Sequence, residues 1–97
     1  MEYTEAIKSS PVVLVEFYAT WCPHCKRMMP VIDQIKELLD GVVNIYQLDI
    51  NLNEKLADIE SISATPTFVI YRDGKEVWRE SGEMEGQYLL QKIQSFI

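Results

Sequence analysis

Residues 12–25 read VVLVEFYATWCPHC, and this stretch decides the fold. Its first half is rich in β-branched and aromatic residues and is apolar on both alternating faces, which predicts a central strand covered on both sides. Its second half holds both cysteines of the chain, Cys22 and Cys25, in a Cys-x-x-Cys spacing. A pair with this spacing directly after a strand predicts a dithiol redox site at the start of a helix.

The two cysteines are expected to have different roles. A thiolate must attack a disulfide, and a cysteine in the first turn of a helix gains negative charge at low cost, because unpaired backbone N–H groups and the helix dipole favour it there. We therefore expect Cys22 to be an accessible attacking thiolate. Cys25 follows about one turn later on the same helix face, so it can resolve the mixed disulfide that the first attack creates.

Three other interpretations of the cysteine pair compete with redox chemistry. Zinc needs about four protein ligands, or three with an open position, and this loop offers two sulfurs and His24. A structural disulfide is weakly motivated, because a loop of about four residues contributes only ~2 kcal/mol, against ~4.7 kcal/mol for a loop of about a hundred. Two unrelated buried thiols are a third option, but a helix start after a strand is an unfavourable place to bury both.

Length and charge limit the function classes. The 97 residues with 47% hydrophobic content fit one domain, residues 1–97, with a core of two or three layers. A net charge of -6 argues against nucleic acid or an anionic membrane as the main partner. The opening MEYTEAIK has neither a basic start nor an apolar run, and no segment is long enough to span a membrane. We expect a soluble cytoplasmic protein with protein partners.

Periodicity and turn residues predict the remaining elements. Apolar residues at helical spacing predict an amphipathic helix from about Cys22 to Leu39, which Pro30 should kink and Asp40-Gly41 should end. Further predicted elements are a helix over residues 2–9, a strand over 42–49 reached by a parallel crossover, a short helix over 53–60, a hairpin of 67–71 and 75–81, and a last helix over 84–96.

Glu16 is the one charged residue inside the first predicted strand. Burial in such a strand would desolvate the carboxylate, raise its pKa and suit it to proton transfer near neutral pH. The alternative is that Glu16 lies near a solvated end of the strand.

These elements together resemble the thioredoxin family over nearly the whole chain. The segments that carry the resemblance are Val15–Cys22, Pro30, Ala64–Phe68, Asp73–Gly74 and Gly82. The resemblance implies an α/β fold, a thioredoxin-like three-layer sandwich with a four-stranded mixed sheet and flanking helices. The family's first strand is missing, which would leave the strand over residues 44–49 as a sheet edge.

The resemblance also implies the substrate side of the site. Pro66 is expected to follow a cis peptide bond beside Cys22, and the Thr65 backbone is expected to pair with an extended substrate strand. The residues implied to line the substrate groove are Trp21, Pro23, Thr65, Pro66 and Gly82.

His24 departs from the pattern of typical thioredoxins, which have Gly-Pro between the cysteines where this chain has Pro23-His24. A histidine occupies the equivalent place in disulfide oxidases and isomerases. A partly charged imidazole there is expected to stabilise the Cys22 thiolate and make the disulfide a stronger oxidant, a direction taken from the resemblance. The alternative is a solvated surface residue with little influence.

Two further departures concern Glu16 and the sheet edge. The family's buried acid is usually aspartate, one methylene shorter, and Gln47 replaces the lysine that typically partners it. Loss of that positive charge predicts a raised Glu16 pKa. An exposed edge strand invites pairing. We therefore expect either that the first helix protects it or that a weak dimer forms, with a monomer as the expected state.

The leading functional hypothesis is a protein disulfide reductase in which Cys22 attacks, Cys25 resolves and Glu16 assists the second proton transfer. No Gly-rich nucleotide fingerprint is present. We therefore expect no bound cofactor or metal, and electrons from a separate thioredoxin-reductase-like flavoenzyme. Two alternatives remain, a disulfide oxidase or isomerase suggested by His24, and a non-enzymatic binding module that uses the same fold.

Overall fold

The structure, a computed structural model, describes residues 1–97. In chain order the elements are α1 (Tyr3–Ala6), β1 (Val12–Tyr18), α2 (Pro23–Leu38), β2 (Val43–Asp49), α3 (Glu54–Ile59), β3 (Thr67–Arg72), β4 (Lys75–Ser81) and α4 (Gly86–Gln94). The predicted order of helices and strands is confirmed. None of the four helices has the length and apolarity needed to span a bilayer.

The four strands form one mixed sheet in the order β2-β1-β3-β4. Strand β2 runs parallel to β1, and α2 makes the connection between them that a parallel pair requires. Strand β3 runs antiparallel to both β1 and β4, and Asp73-Gly74 joins β3 to β4 as a hairpin. The predicted fold class is confirmed, with β2 at one edge of the sheet.

Strand β1 is covered on both faces, as its sequence predicts. Because side chains alternate along a strand, Val12 and Leu14 face one layer while Val13, Val15 and Phe17 face the other. The first layer is built on α2 and α4 by Met28, Ile32, Ile35, Leu89 and Ile93. Residues packed on the second face include Tyr3, Leu56 and Ile62. The sheet therefore lies between two layers, and β1 is its central strand.

The segment after α1 contacts the edge strand β2. The hydroxyls of Ser9 and Tyr46 lie 2.8 Å apart, and the Asn44 amide donates to the Ser9 hydroxyl at 2.8 Å. Helix α1 itself packs on the sheet face, where the hydroxyls of Tyr3 and Tyr71 lie 2.6 Å apart. The loop after α1 therefore hydrogen-bonds to the edge strand, while Tyr3 of the helix packs in the same hydrophobic cluster as Tyr46 and Leu48 of β2. The oligomeric state stays a prediction.

Two helices are shorter than predicted. Helix α1 covers Tyr3–Ala6 rather than residues 2–9, and α4 covers Gly86–Gln94 rather than residues 84–96. The late start of α4 follows from Gly82 at φ 105 and from Glu85 in an extended conformation, since neither backbone is helical. Helix α2 continues across Pro30, and the kink there stays a prediction.

Candidate active site

Cys22 caps the N-terminus of α2. Its backbone is extended, at φ -89 and ψ 116, and its Sγ accepts a hydrogen bond from the backbone N–H of Cys25 at 3.2 Å. Pro23 is the first helical residue, a position where the missing N–H costs nothing and the fixed φ suits the helix. The predicted placement of Cys22 at the start of a helix is confirmed.

Both cysteines are free thiols and both are buried, with exposed fractions of 3% for Cys22 and 2% for Cys25. The expectation that Cys22 is openly accessible is therefore wrong. Cys22 is covered because it lies between the first turn of α2 and the Thr65 carbonyl, to which its thiol donates a hydrogen bond at 3.5 Å. Ala19 packs in the same cluster. A disulfide must approach through the small part of Cys22 that remains exposed.

The pKa of the Cys22 thiol lies below its ordinary value. Burial alone would raise this pKa, but hydrogen bonds from the side chains of Cys25 and Thr65 and from the backbone of Cys25 and His24 outweigh it. The contribution of His24 is thus made by its backbone. Cys22 is the sulfur that this environment prepares for nucleophilic attack.

The pKa of Cys25 is moved in the opposite direction, to about 11. Burial is the largest cause, and the hydrogen bond with the Cys22 sulfur adds to it, while the Ala19 backbone partly offsets both. Cys25 therefore stays protonated at neutral pH until a base removes its proton. The geometry gives the two sulfurs the unequal acidities that an attacking and a resolving thiol need.

The Thr65-Pro66 segment lies against Cys22, and the peptide bond between Thr65 and Pro66 is cis. This expectation from the family resemblance is confirmed. Pro66 is buried, and its carbonyl accepts a hydrogen bond from the Gly82 N–H at 2.8 Å. The backbone N–H of Thr65 donates to no other group of the protein. It is therefore available to an extended substrate, although strand pairing there stays a prediction.

Trp21 and Pro23 lie on the surface on either side of Cys22 in the chain. The Trp21 side chain is 65% exposed, and its indole N–H donates to the Asn51 side chain at 3.1 Å. The structure thus brings the predicted groove residues around the redox pair. Their contact with a substrate stays a prediction.

His24 belongs to an ionic cluster with Arg27 and Glu83. Nδ1 of His24 lies 2.9 Å from Oε1 of Glu83, and the Arg27 Nε donates to the same carboxylate at 2.9 and 3.1 Å. Hydrogen bonds from His24 and Arg27 hold the pKa of Glu83 below its usual value. The imidazole is therefore turned towards Glu83. Stabilisation of the Cys22 thiolate by the His24 side chain stays a prediction.

The cluster borders a groove of about 680 Å³ that also includes Gly82 and Met84. Sequence reasoning missed both Arg27 and Glu83. Glu83 is 59 residues from His24 in the chain, so no local spacing indicates their contact.

Glu16 is 1% exposed and lies on the same side of the sheet as Cys25. Burial raises the pKa of its carboxyl, while a hydrogen bond from the Gln47 amide at 2.9 Å and the charge of Lys36 oppose the increase. The predicted direction is confirmed. Lys36 in turn donates to the Gln47 Oε1 at 2.6 Å, a contact that sequence reasoning missed.

A cavity of about 70 Å³ joins Glu16 to Cys25, with Tyr18, Met29 and Gln47 as the other lining residues. This volume exceeds the ~10–15 Å³ that one water molecule needs. Glu16 and Cys25 therefore border the same small cavity, which is large enough to hold a water molecule that could carry a proton between them. No three His, Cys, Asp or Glu side chains are grouped closely enough to hold a metal ion.

A family model described as thioredoxin matches residues 1–95. The chain belongs to the thioredoxin family. Similar curated proteins include the chloroplastic thioredoxin Y of Oryza sativa subsp. japonica, 36% identical over 88 residues, which are 91% of this chain and 52% of that protein. Thioredoxin-1 of Saccharomyces cerevisiae is 36% identical over 81 residues, 84% of this chain and 78% of the yeast protein.

The chain spans about half the length of the plant chloroplastic thioredoxins among these relatives, 51% to 52% of each. Solved thioredoxin structures have the same fold. A mutant thioredoxin from Halobacterium salinarum is similar with a TM-score of 0.89 at 28% identity, covering 98% of this chain and 82% of that one. Oxidised mitochondrial thioredoxin 3 from Saccharomyces cerevisiae is similar with a TM-score of 0.87 at 27% identity. The match covers 96% of this chain and 86% of the yeast chain.

Proposed function

We propose that this chain is a thiol-disulfide oxidoreductase that reduces protein disulfides through a reversible Cys22–Cys25 dithiol. The observation that carries the proposal is the unequal pair of sulfurs at the start of α2, one with a lowered pKa and one with a pKa of about 11. The thioredoxin relatives support the same reaction class.

The first step is attack by the Cys22 thiolate on one sulfur of the substrate disulfide. A bond forms between the Cys22 Sγ and that sulfur, the substrate S–S bond breaks, and the second substrate sulfur leaves as a thiolate. The substrate segment binds in a groove lined by Trp21, Pro23, Thr65, Pro66 and Gly82.

The second step is resolution by Cys25. Its proton passes to the Glu16 carboxylate across the cavity they share, and the resulting thiolate attacks the Cys22 sulfur. The Cys22–Cys25 disulfide forms and the remaining substrate sulfur leaves as a thiolate. The protein dithiol has then lost two electrons, and the substrate disulfide has become two thiols.

Return to the dithiol form requires an external reductant. A thioredoxin-reductase-like flavoenzyme is the proposed electron donor, and disulfide-containing proteins are the proposed substrates. We also propose that this exchange takes place in the cytoplasm, where thiols are kept reduced. No bound cofactor takes part in the proposed reaction.

The test uses the reduced full chain and a disulfide-bonded peptide. The wild-type protein should release both peptide thiols, whereas Cys25→Ser should stop after the first step and retain one peptide half as a mixed disulfide at Cys22, visible by mass spectrometry. Cys22→Ser should trap nothing. A non-enzymatic binding module is the correct function if the double serine variant keeps full affinity for a partner and the wild type reduces nothing.

Oxidation or isomerisation of disulfides is the second candidate. It is favoured by the lowered pKa of Cys22, because stabilising the thiolate stabilises the reduced form and makes the disulfide more oxidising. Equilibration with a glutathione buffer separates the two functions. A potential near that of reducing thioredoxins, about -270 mV, supports the reductase, and a value near -120 mV supports the oxidase.

A further inference from the structure

Lys36 completes a chain of hydrogen bonds that begins at the buried carboxylate of the site. We propose that Lys36, acting through the Gln47 amide, is a positioning residue that orients Glu16 for proton transfer from Cys25. This inference rests on the proposed function, because it concerns the resolving step of that reaction.

The geometry of the chain of hydrogen bonds is continuous. Gln47 is the cross-strand neighbour of Glu16 on β2, and its Nε2 donates to the Glu16 Oε1 at 2.9 Å. Lys36, in the last turn of α2, donates from Nζ to the Gln47 Oε1 at 2.6 Å. The Gln47 amide has an oxygen that accepts hydrogen bonds and an NH2 group that donates them. Because Lys36 holds the oxygen, the NH2 group is directed towards Glu16. Lys36 therefore selects the orientation in which Gln47 presents its N–H groups to Glu16.

The same contact supplies charge. The replacement of the usual lysine by Gln47 suggested from sequence that Glu16 has no cationic support, but Lys36 places an ammonium one amide away from the carboxylate. It is the only charged group that acts on Glu16 in this environment. The other titratable groups facing the shared cavity are Cys25 and Tyr18.

The consequence concerns the ionised form of Glu16. Resolution needs the carboxylate as base, and the positive charge of Lys36 favours that ionised form against the cost of burial. Without Lys36, a smaller fraction of Glu16 is ionised at a given pH and Gln47 is free to turn away. The resolving step should then need a higher pH, while the attack by Cys22 should not change.

The experiment follows both thiols released from an excess of a chromogenic aromatic disulfide, by stopped-flow absorbance between about pH 5 and pH 9. The first equivalent reports attack by Cys22 and the second reports resolution by Cys25. In Lys36→Met the second phase should slow roughly two- to fivefold below neutral pH, with its acid limb displaced to higher pH. The first phase should stay within experimental error of the wild type.

Three further variants separate positioning from charge loss alone. Lys36→Arg should keep the wild-type pH dependence of the second phase, because a guanidinium can also donate to the Gln47 amide oxygen. Lys55→Met removes an exposed lysine from α3 and should leave both phases unchanged. In a Gln47→Met background, Lys36→Met should have a much smaller effect than in the wild type, because the bridge is already broken.

Two results would overturn the role of Lys36 while leaving the proposed function intact. One is a Lys36→Met profile that superimposes on those of the wild type and Lys55→Met. The other is an equal slowing of both phases, which indicates a general disturbance of α2. If the wild type releases no thiol at all, the proposed function itself fails, and this inference fails with it.

Discussion

The two sulfurs of the site are three residues apart, but different forces control them. At Cys22 hydrogen bonds outweigh burial, and the pKa falls below its ordinary value. At Cys25 burial dominates, and the pKa rises to about 11. One turn of helix is thus enough to separate a sulfur at the positive helix end from one that faces the interior.

The charged neighbours of the sulfurs differ in the same way. On the outer side, the side chains of His24, Arg27 and Glu83 are 59%, 55% and 36% exposed, so water and salt screen their interactions. On the inner side Glu16 is 1% exposed, and burial raises the pKa of its carboxyl against the opposing effects of one amide and one lysine. We therefore expect substitutions on the inner side to have larger effects than those on the outer side.

The largest expected effect is that of Glu16→Gln. Loss of the base should slow resolution by Cys25 about a hundredfold, the lower end of the range for general acid–base catalysis. Release of the second thiol from an aromatic disulfide measures this step. Glu37→Gln, an equal change of charge on the exposed face of α2, is the matched control and should have no effect. A loss of less than twofold would remove Glu16 from the mechanism.

Alkylation of the reduced protein tests the contrast between the sulfurs directly. The pKa of Cys22 lies below 9.0 and that of Cys25 is about 11, so the thiolate fractions differ by at least about a hundredfold. Lower intrinsic nucleophilicity at lower pKa reduces this advantage to about tenfold. Iodoacetamide near pH 7 followed by peptide mass spectrometry should find Cys22 modified first by that margin. Equal labelling would contradict the assigned roles.

The pH dependence of stability should show the cost of burying Glu16. Its pKa is raised on folding, so its favourable contribution is complete below the unfolded value of about 4.3 and is lost as pH rises through the folded value. The free energy of unfolding of the wild type should therefore fall over this range relative to that of Glu16→Gln. Urea unfolding of both proteins across pH measures the difference. Parallel curves would show that Glu16 titrates as if it were exposed.

The smallest effect is expected for Glu83→Gln on the outer side. Removal of the charge frees His24 and Arg27, but these side chains are largely solvated. Attack by Cys22 should change by less than about threefold, and the change should shrink as ionic strength rises. Glu37→Gln is again the control. A tenfold effect that persists in high salt would show that the ionic cluster controls Cys22 after all.

The fold could be predicted largely because β1 and α2 have strong local patterns. Apolar residues on both faces of Val12–Tyr18 indicated a central strand, and the helical spacing after Cys22 gave α2 to within one residue at each end. The cis bond at Pro66 was predictable only through the family resemblance. The raised pKa of Glu16 followed from its place in a strand that is buried on both sides.

The contacts that sequence reasoning missed join residues that are far apart in the chain. Periodicity places Lys36 on the exposed side of α2 but does not show that Gln47 lies within its reach on β2. The family resemblance placed Pro66 beside Cys22, but no local pattern shows that the Thr65 carbonyl, 43 residues later in the chain, helps to bury the sulfur. Local patterns determine which face a residue occupies, whereas its partner depends on how the layers are assembled.

Trp21 gives this site an optical consequence. Its indole is 65% exposed, is held by Asn51 and directly precedes the reactive sulfur in the chain. The other tryptophan, Trp78, lies on β4 beside Tyr88. Conversion of the neighbouring thiols to a disulfide should change the emission of Trp21 far more than that of Trp78. Intrinsic fluorescence can therefore follow each half-reaction in real time without an attached dye.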